Sequence, residues 1–202
     1  MSRQLAVARA WGLPRTLLLA VLLAGSVQLV ATSYVGLPSF AAEIPALDLV
    51  PPAAALVLSS PLVDQTPDLT LRAGRPLGLV LLLRYTAVHA AGAVVVASLA
   101  STAWTFERSL VVVLFLAGSA LAAAVLGGAF WVPVMAVSYL WLLRSQQLDD
   151  LADADVPVVV AAAGLVLAGL VYVTAGVYRV HRRRCPPPAS PRRRAPPRVD
   201  TS

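Results

Sequence analysis

From Leu110 to Leu143 the chain carries no charged residue, and this run limits its possible folds more than any other feature. As one helix rising about 1.5 Å per residue it would reach roughly 50 Å, against a hydrocarbon core of about 30 Å. It must therefore fold back, and Gly127-Gly128 in its middle mark the place. Lipid offers no partner to a bare backbone amide, so such a run is expected as a transmembrane helical hairpin.

Composition agrees. Hydrophobic residues make up 58% and charged ones 13%, with a mean hydropathy of +0.78, which leaves too little polar surface for a soluble domain of 202 residues. The pI near 10.4 is a topology signal and not a nucleic-acid signal, because eight of the sixteen basic residues follow Tyr178 and three precede Thr16. All sixteen are arginine. The absence of lysine excludes a Walker A phosphate loop and a lysine Schiff base within this chain. One cysteine, Cys185, excludes an intrachain disulfide and a cysteine-based metal cluster. With two histidines and no G-x-S-x-G, H-E-x-x-H or C-x-x-C pattern, no catalytic residue, metal or cofactor is expected.

The expected fold is all-α: a polytopic transmembrane bundle of about six spans, near 16–35, 44–63, 77–100, 110–126, 129–143 and 156–178, with five spans as the alternative. The apolar run after Arg3, Arg9 and Arg15 reads as a first membrane helix. A signal peptide is the competing reading, opposed by the run's length of about twenty residues and the lack of an A-x-A cleavage site. The second segment is interrupted by Pro45, Asp48, Pro51, Pro52 and Pro61, since proline removes helical hydrogen bonds that lipid cannot replace. It spans only if packed against neighbours, or is re-entrant.

Arginine placement favours six spans over five, because short positive loops stay cytoplasmic. Residues 1–15, the Asp64–Pro76 loop with Arg72 and Arg75, and the 179–202 tail then lie on the cytoplasmic side of the cell membrane. Glu43, Glu107 with Arg108, and Asp149, Asp150, Asp153 and Asp155 lie outside. The tail holds Arg182-Arg183-Arg184, Arg192-Arg193-Arg194 and repeated prolines, so it is expected to be disordered with polyproline character. Its first reading is an orientation signal. A sharper one has Arg179, Arg182, Arg183 and Arg184 touching anionic lipid headgroups or an acidic partner. Cys185 is expected as a free thiol, with lipid modification as the alternative.

Few polar groups fall inside the spans. Arg84 can snorkel to the headgroups, or it can belong to an intramembrane polar site with His89 and with Asp48 as counter-ion. His89 reads as a neutral hydrogen-bonding side chain before a proton relay. Small residues recur four apart at Ala93 and Ala97, Gly118 and Ala122, Ala123 and Gly127, and Gly164 and Ala168, a spacing that lets helix backbones approach. Trp131, Tyr139 and Trp141, with Trp11 and Trp104, suit interfacial anchoring. The acidic run ending at Asp155 is expected as a solvated loop capping the last helix, in preference to a cation site.

The entry Glu107-Arg108-Ser109-Leu110, the Gly127-Gly128 hairpin, the step Trp131-Val132-Pro133 and the final Gly169-Leu170-Val171-Tyr172 into Gly176 form an ordered pattern. So does Pro67-Asp68-Leu69 through Arg75-Pro76-Leu77. Together they resemble the membrane subunits of ATP-binding-cassette exporters, in the short six-span form of actinobacteria, over roughly Asp64 to Tyr178. The compressed second span departs from that pattern. The resemblance implies a non-catalytic permease that pairs with a separate ATP-binding subunit and a second membrane subunit, with Arg72 and Arg75 on the docking loop. A non-transporting accessory or scaffold protein is the alternative, and a membrane-embedded enzyme has the least support.

Overall fold

A computed structural model describes residues 13–38, 40, 43–63, 77–147 and 155–184. Arg3, Arg9, Trp11, Arg72, Arg75, Asp149, Asp150, Asp153 and the tail from Cys185 lie outside the described residues. The described chain is mostly helical, with one two-stranded ribbon, which agrees with the all-α class.

Helix α1 (Leu13–Val30) leads into strands β1 (Tyr34–Val35) and β2 (Ile44–Pro45), which pair antiparallel with Val35 opposite Ile44. The prolines of the next segment do less damage than their number suggests. Pro51 and Pro52 stand in the first turn of α2 (Val50–Leu58), where the backbone N–H has no intrahelical partner to lose. Short 3-10 turns at Ala46–Leu49 and Ser60–Leu62 extend α2 on both sides. The apolar helical rod Ala46–Leu62 is about 25 Å long at helical rise, short of a full crossing on its own. It is a buried element, with Leu47, Val50, Ala54, Ala55 and Leu58 in the core.

Helix α3 (Leu77–Ala100) is followed by α4 (Phe106–Ser109), which Thr105 caps by accepting from the Arg108 amide at 3.0 Å. Then come α5 (Val111–Leu126), a 3-10 turn at Gly127–Ala129, α6 (Trp131–Gln147) and α7 (Val158–Arg184). The chain reverses at Gly127, whose φ of 59° lies where a side chain would be strained. Phe115 on α5 then meets Trp141 on α6 edge-on at 6.2 Å, so the expected hairpin forms at the expected glycines.

Three helices are long and apolar enough to cross a membrane: Leu77–Ala100, Phe106–Ala129 and Val158–Arg179. The segments expected at 16–35 and 44–63 form shorter apolar helices, Pro14–Val30 and Ala46–Leu62, and α6 has 17 residues. Six spans therefore exceed the number of helices that meet length and apolarity unaided. Helix α5 is central and touches α2, α3, α6 and α7. The small-residue pairs divide accordingly. Gly164 and Ala168 serve the α5–α7 seam, with Leu114 packed over Gly164 and Ala168 fully buried. Ala93 and Ala97 instead lie on an exposed face.

Helix α7 corrects the expected start of the disordered tail, because it continues through Arg184. Proline first appears at Pro186, and arginine is a good helix former, so nothing before that point ends the helix.

Candidate functional site

The helices give the bundle two chemically different ends. At the strand end, Gln28 of α1 donates to Ser101 Oγ at 2.8 Å and to Ser98 O at 3.1 Å. Ser98 Oγ donates back to Ala24 O at 2.7 Å. Thr105 Oγ1 donates to Asp155 Oδ1 at 2.7 Å, and the Val156 amide donates to Glu107 O at 3.2 Å. Asp155 thus ties the entry of α7 to α4 through Thr105, while the Val160 and Ala161 amides of α7 donate to the carbonyl of Pro157.

The same end holds a buried ion pair. Asp48, fully buried in the 3-10 turn before α2, receives Arg108 Nη2 at 3.1 Å on Oδ1. The Arg108 guanidinium lies 4.5 Å from the Trp104 ring centroid, close enough for cation–π attraction. Trp141 Nε1 donates to the Asp48 backbone carbonyl at 3.0 Å. This corrects the expected pairing of Asp48 with Arg84. The two cations differ in axial level, since Arg84 lies sixteen residues, about 24 Å of helix, before the strand end of α3. Arg108 sits at the level of Asp48. Trp104 and Trp141 are corrected likewise: Trp104 is buried and Trp141 partly buried against the pair, while Trp131 is exposed as an interfacial residue would be.

The middle of α3 carries the second polar group. Arg84 is buried, at 4% exposure, so its side chain turns into the bundle instead of lying along an exposed surface. Beside it, Tyr85 donates from its hydroxyl to Leu165 O at 2.5 Å and lies over the His89 ring at 4.1 Å between centroids. His89 Nδ1 donates to Tyr85 O at 2.9 Å, which makes Nδ1 the protonated nitrogen of the neutral ring. Tyr172 of α7 stacks at 6.0 Å from Tyr85 and donates to Leu62 O at 2.8 Å. Tyr85 and His89, four residues apart, share a face of α3, Arg84 turns to a different side of the same helix, and Asp48 lies at the strand end.

Sequence reasoning named Arg108 and Tyr172 only within the ordered pattern and the outer loop, gave them no polar partner, and did not name Tyr85. A lone acid in an apolar segment demands a cation, which makes Arg108 findable as one of two choices. The tyrosine contacts run to backbone carbonyls of distant helices and leave no pattern along the chain.

At the other end, around the glycine turn, Arg179 donates to the carbonyl of Ala124, one of the last in α5 and so without a helical partner. The acids gather at one end, whereas arginines occur at both, with Arg108 and Arg144 at the strand end. Among the described residues the four acids, Glu43, Asp48, Glu107 and Asp155, lie at the strand end. Arg15, Arg179 and Arg182 to Arg184 lie at or beyond the glycine-turn end. No group of three or more His, Cys, Asp or Glu suited to a metal occurs among the described residues. Comparison with protein-family models, with curated proteins and with solved structures returns no match, so the geometry itself has to carry the functional reading.

Proposed function

We propose that the chain is a multi-pass membrane protein acting as the non-catalytic, permease-type subunit of a transporter whose ATP-hydrolysing subunit is a separate chain. The observation that carries this reading is Arg84, an ionisable group turned inward within a candidate span. Keeping a cation at that depth is costly, and chains that do so mostly aim it at a bundle interior that handles polar cargo or partners. Under this reading the substrate moves between two membrane subunits whose two conformations bind nucleotide-driven partners differently. Arg72 and Arg75, in the connection between α2 and α3, form the docking loop.

All six segments cross in this proposal, the three shorter ones held in place by packing. The gathering of the described acids at the strand end supports an orientation with the glycine-turn end on the cytoplasmic side. Cysteines placed at Ser101 and Gln146, in a Cys185→Ser background, are expected to react with an impermeant thiol reagent from the same, outer face. Labelling from opposite faces would overturn the orientation and the hairpin crossing.

The partner is tested by affinity purification of the full chain from its own membranes. An ATP-binding protein is expected to come with it and to be lost in the Arg72→Glu/Arg75→Glu variant, with membrane insertion unchanged. Recovery of membrane partners without any ATP-binding chain would move the protein to the accessory or scaffold reading. One observation favours that second reading: Leu116, Tyr85 and Leu81 press closely on Gly92, Gly169 and Gly176, so these helix seams are tightly packed.

A further inference from the structure

Residues 104–110, around the short helix α4, form a strap at the strand end of the bundle. The strap joins α3 to α5 in sequence, yet its polar fastenings run to two other elements. Arg108 reaches Asp48, in the 3-10 turn before α2, at 3.1 Å. Ahead of α7, Asp155 accepts from Thr105 Oγ1 at 2.7 Å and the Val156 amide donates to Glu107 O at 3.2 Å. Trp104 is buried at the start of the strap, and Ser109 and Leu110 at its end.

The side-chain fastenings are unequal. Thr105 and Asp155 are exposed, so water competes for both partners of their hydrogen bond. Asp48 is fully buried, and among the described residues its Oδ2 and the Nε of Arg108 make no hydrogen bond. One hydrogen bond and one opposite charge therefore hold a carboxylate in the core. Arginine does not give up its charge, so Asp48 is the member of the pair that can become neutral. Few other ionisable groups bear on it. Of the elements packed on the 3-10 turn, α1 has none in its last turns and α2 has none, Glu43 precedes β2, and α6 brings Tyr139 and Arg144. These groups are exposed, as are Glu107 on the strap and Tyr34 on β1. Among the described residues, Arg108 is the cation paired with the carboxylate.

Neutral Asp48 would leave the guanidinium largely out of water for the sake of one ordinary hydrogen bond. With 21% of its side chain already exposed, Arg108 can instead turn outward and rehydrate while keeping its place over Trp104. We infer that the α4 strap is a pH-sensitive latch, closed while Asp48 is charged and lifted about Trp104 when Asp48 takes up a proton. The latch rests on the fold alone and is independent of transport.

The test uses the full chain in detergent micelles, in a Cys185→Ser background, and reads how fast single introduced cysteines react with a thiol reagent. Ser109→Cys places a thiol under the strap, Ser101→Cys one on the exposed surface, and Ser119→Cys one in the core between α5 and α2. Dividing the Ser109→Cys rate by the Ser101→Cys rate cancels the thiolate fraction, which falls with pH for both. Reaction of a buried thiol follows the population of the open state. The ratio is expected to rise about tenfold on acidification, the scale set by one hydrogen bond to a charged group. In Asp48→Asn it should be high at every pH, whereas Asp155→Asn should keep the parent's pH dependence. Ser119→Cys should stay protected throughout. A flat ratio in the parent, a pH dependence that survives in Asp48→Asn, or one that disappears in Asp155→Asn would overturn the latch. So would Ser119→Cys gaining reactivity in step with Ser109→Cys, which would show that acid loosens the whole bundle.

Discussion

Arg108→Met is expected to destabilise the bundle by about 3–5 kcal/mol, and Asp48→Asn by only about 1–2 kcal/mol, although both break the same ion pair. The asymmetry follows from burial. Asp48 is fully buried and Arg108 has 21% of its side chain exposed. Without Arg108 the carboxylate is left in the core with no cation, whereas without Asp48 the guanidinium can rehydrate and still lie on Trp104. Among the described residues Asp48 Oδ2 and Arg108 Nε make no hydrogen bond, so the pair does not recover all of its desolvation cost. The double variant Asp48→Asn/Arg108→Met should therefore recover most of what Arg108→Met loses. Thermal and denaturant unfolding in detergent micelles, arranged as a double-mutant cycle, measures all three. Equal losses from the two single changes, or additive losses in the double, would show that the pair is solvated and contributes little.

The architecture was legible where the signal lay along the chain. A charge-free run too long for one crossing, with two glycines in its middle, allows little besides a hairpin, and the reversal occurs at Gly127. Pro51 and Pro52 were visible but ambiguous, because proline breaks a helix from inside and starts one from its first turn, and only the boundary decides. The candidate sites were half legible. Arg84 and His89 share a helix but, five residues apart, not a face, and what spacing does predict is the pairing of Tyr85 with His89 four residues on. The partner of Asp48 did not follow, because choosing between Arg84 and Arg108 requires the axial level of a short 3-10 turn against two other helices. Trp141 misled for a related reason. Its position near a helix end suits interfacial anchoring, yet the ring turns inward because the Asp48 carbonyl offers its N–H a buried acceptor.

Gly92→Ala is expected to cost about 1–3 kcal/mol even though alanine is the better helix former by about 1 kcal/mol. Gly92 is buried on α3, and a methyl group there would overlap Cδ1 of Leu116, itself fully buried on α5. The clash falls on the tip of a leucine, but that leucine is fully buried, so the tip has to be accommodated within a close-packed core. The helices must then move apart, and α3 and α5 are two of the three helices able to cross a membrane, so the loss is felt along the seam. Gly118 on the same hairpin supplies the contrast. Nothing lies within 4 Å of the added Cβ, so Gly118→Ala should be neutral or stabilise by up to about 1 kcal/mol through helix propensity alone. Shortening the obstructing side chain in Gly92→Ala/Leu116→Val should return part of the loss, as a size exchange across one contact does. Melting temperatures of the four chains in one detergent decide the matter. If Gly92→Ala melts with Gly118→Ala, glycine serves neither helix as a close-approach residue and the α3–α5 seam is looser than its contacts imply.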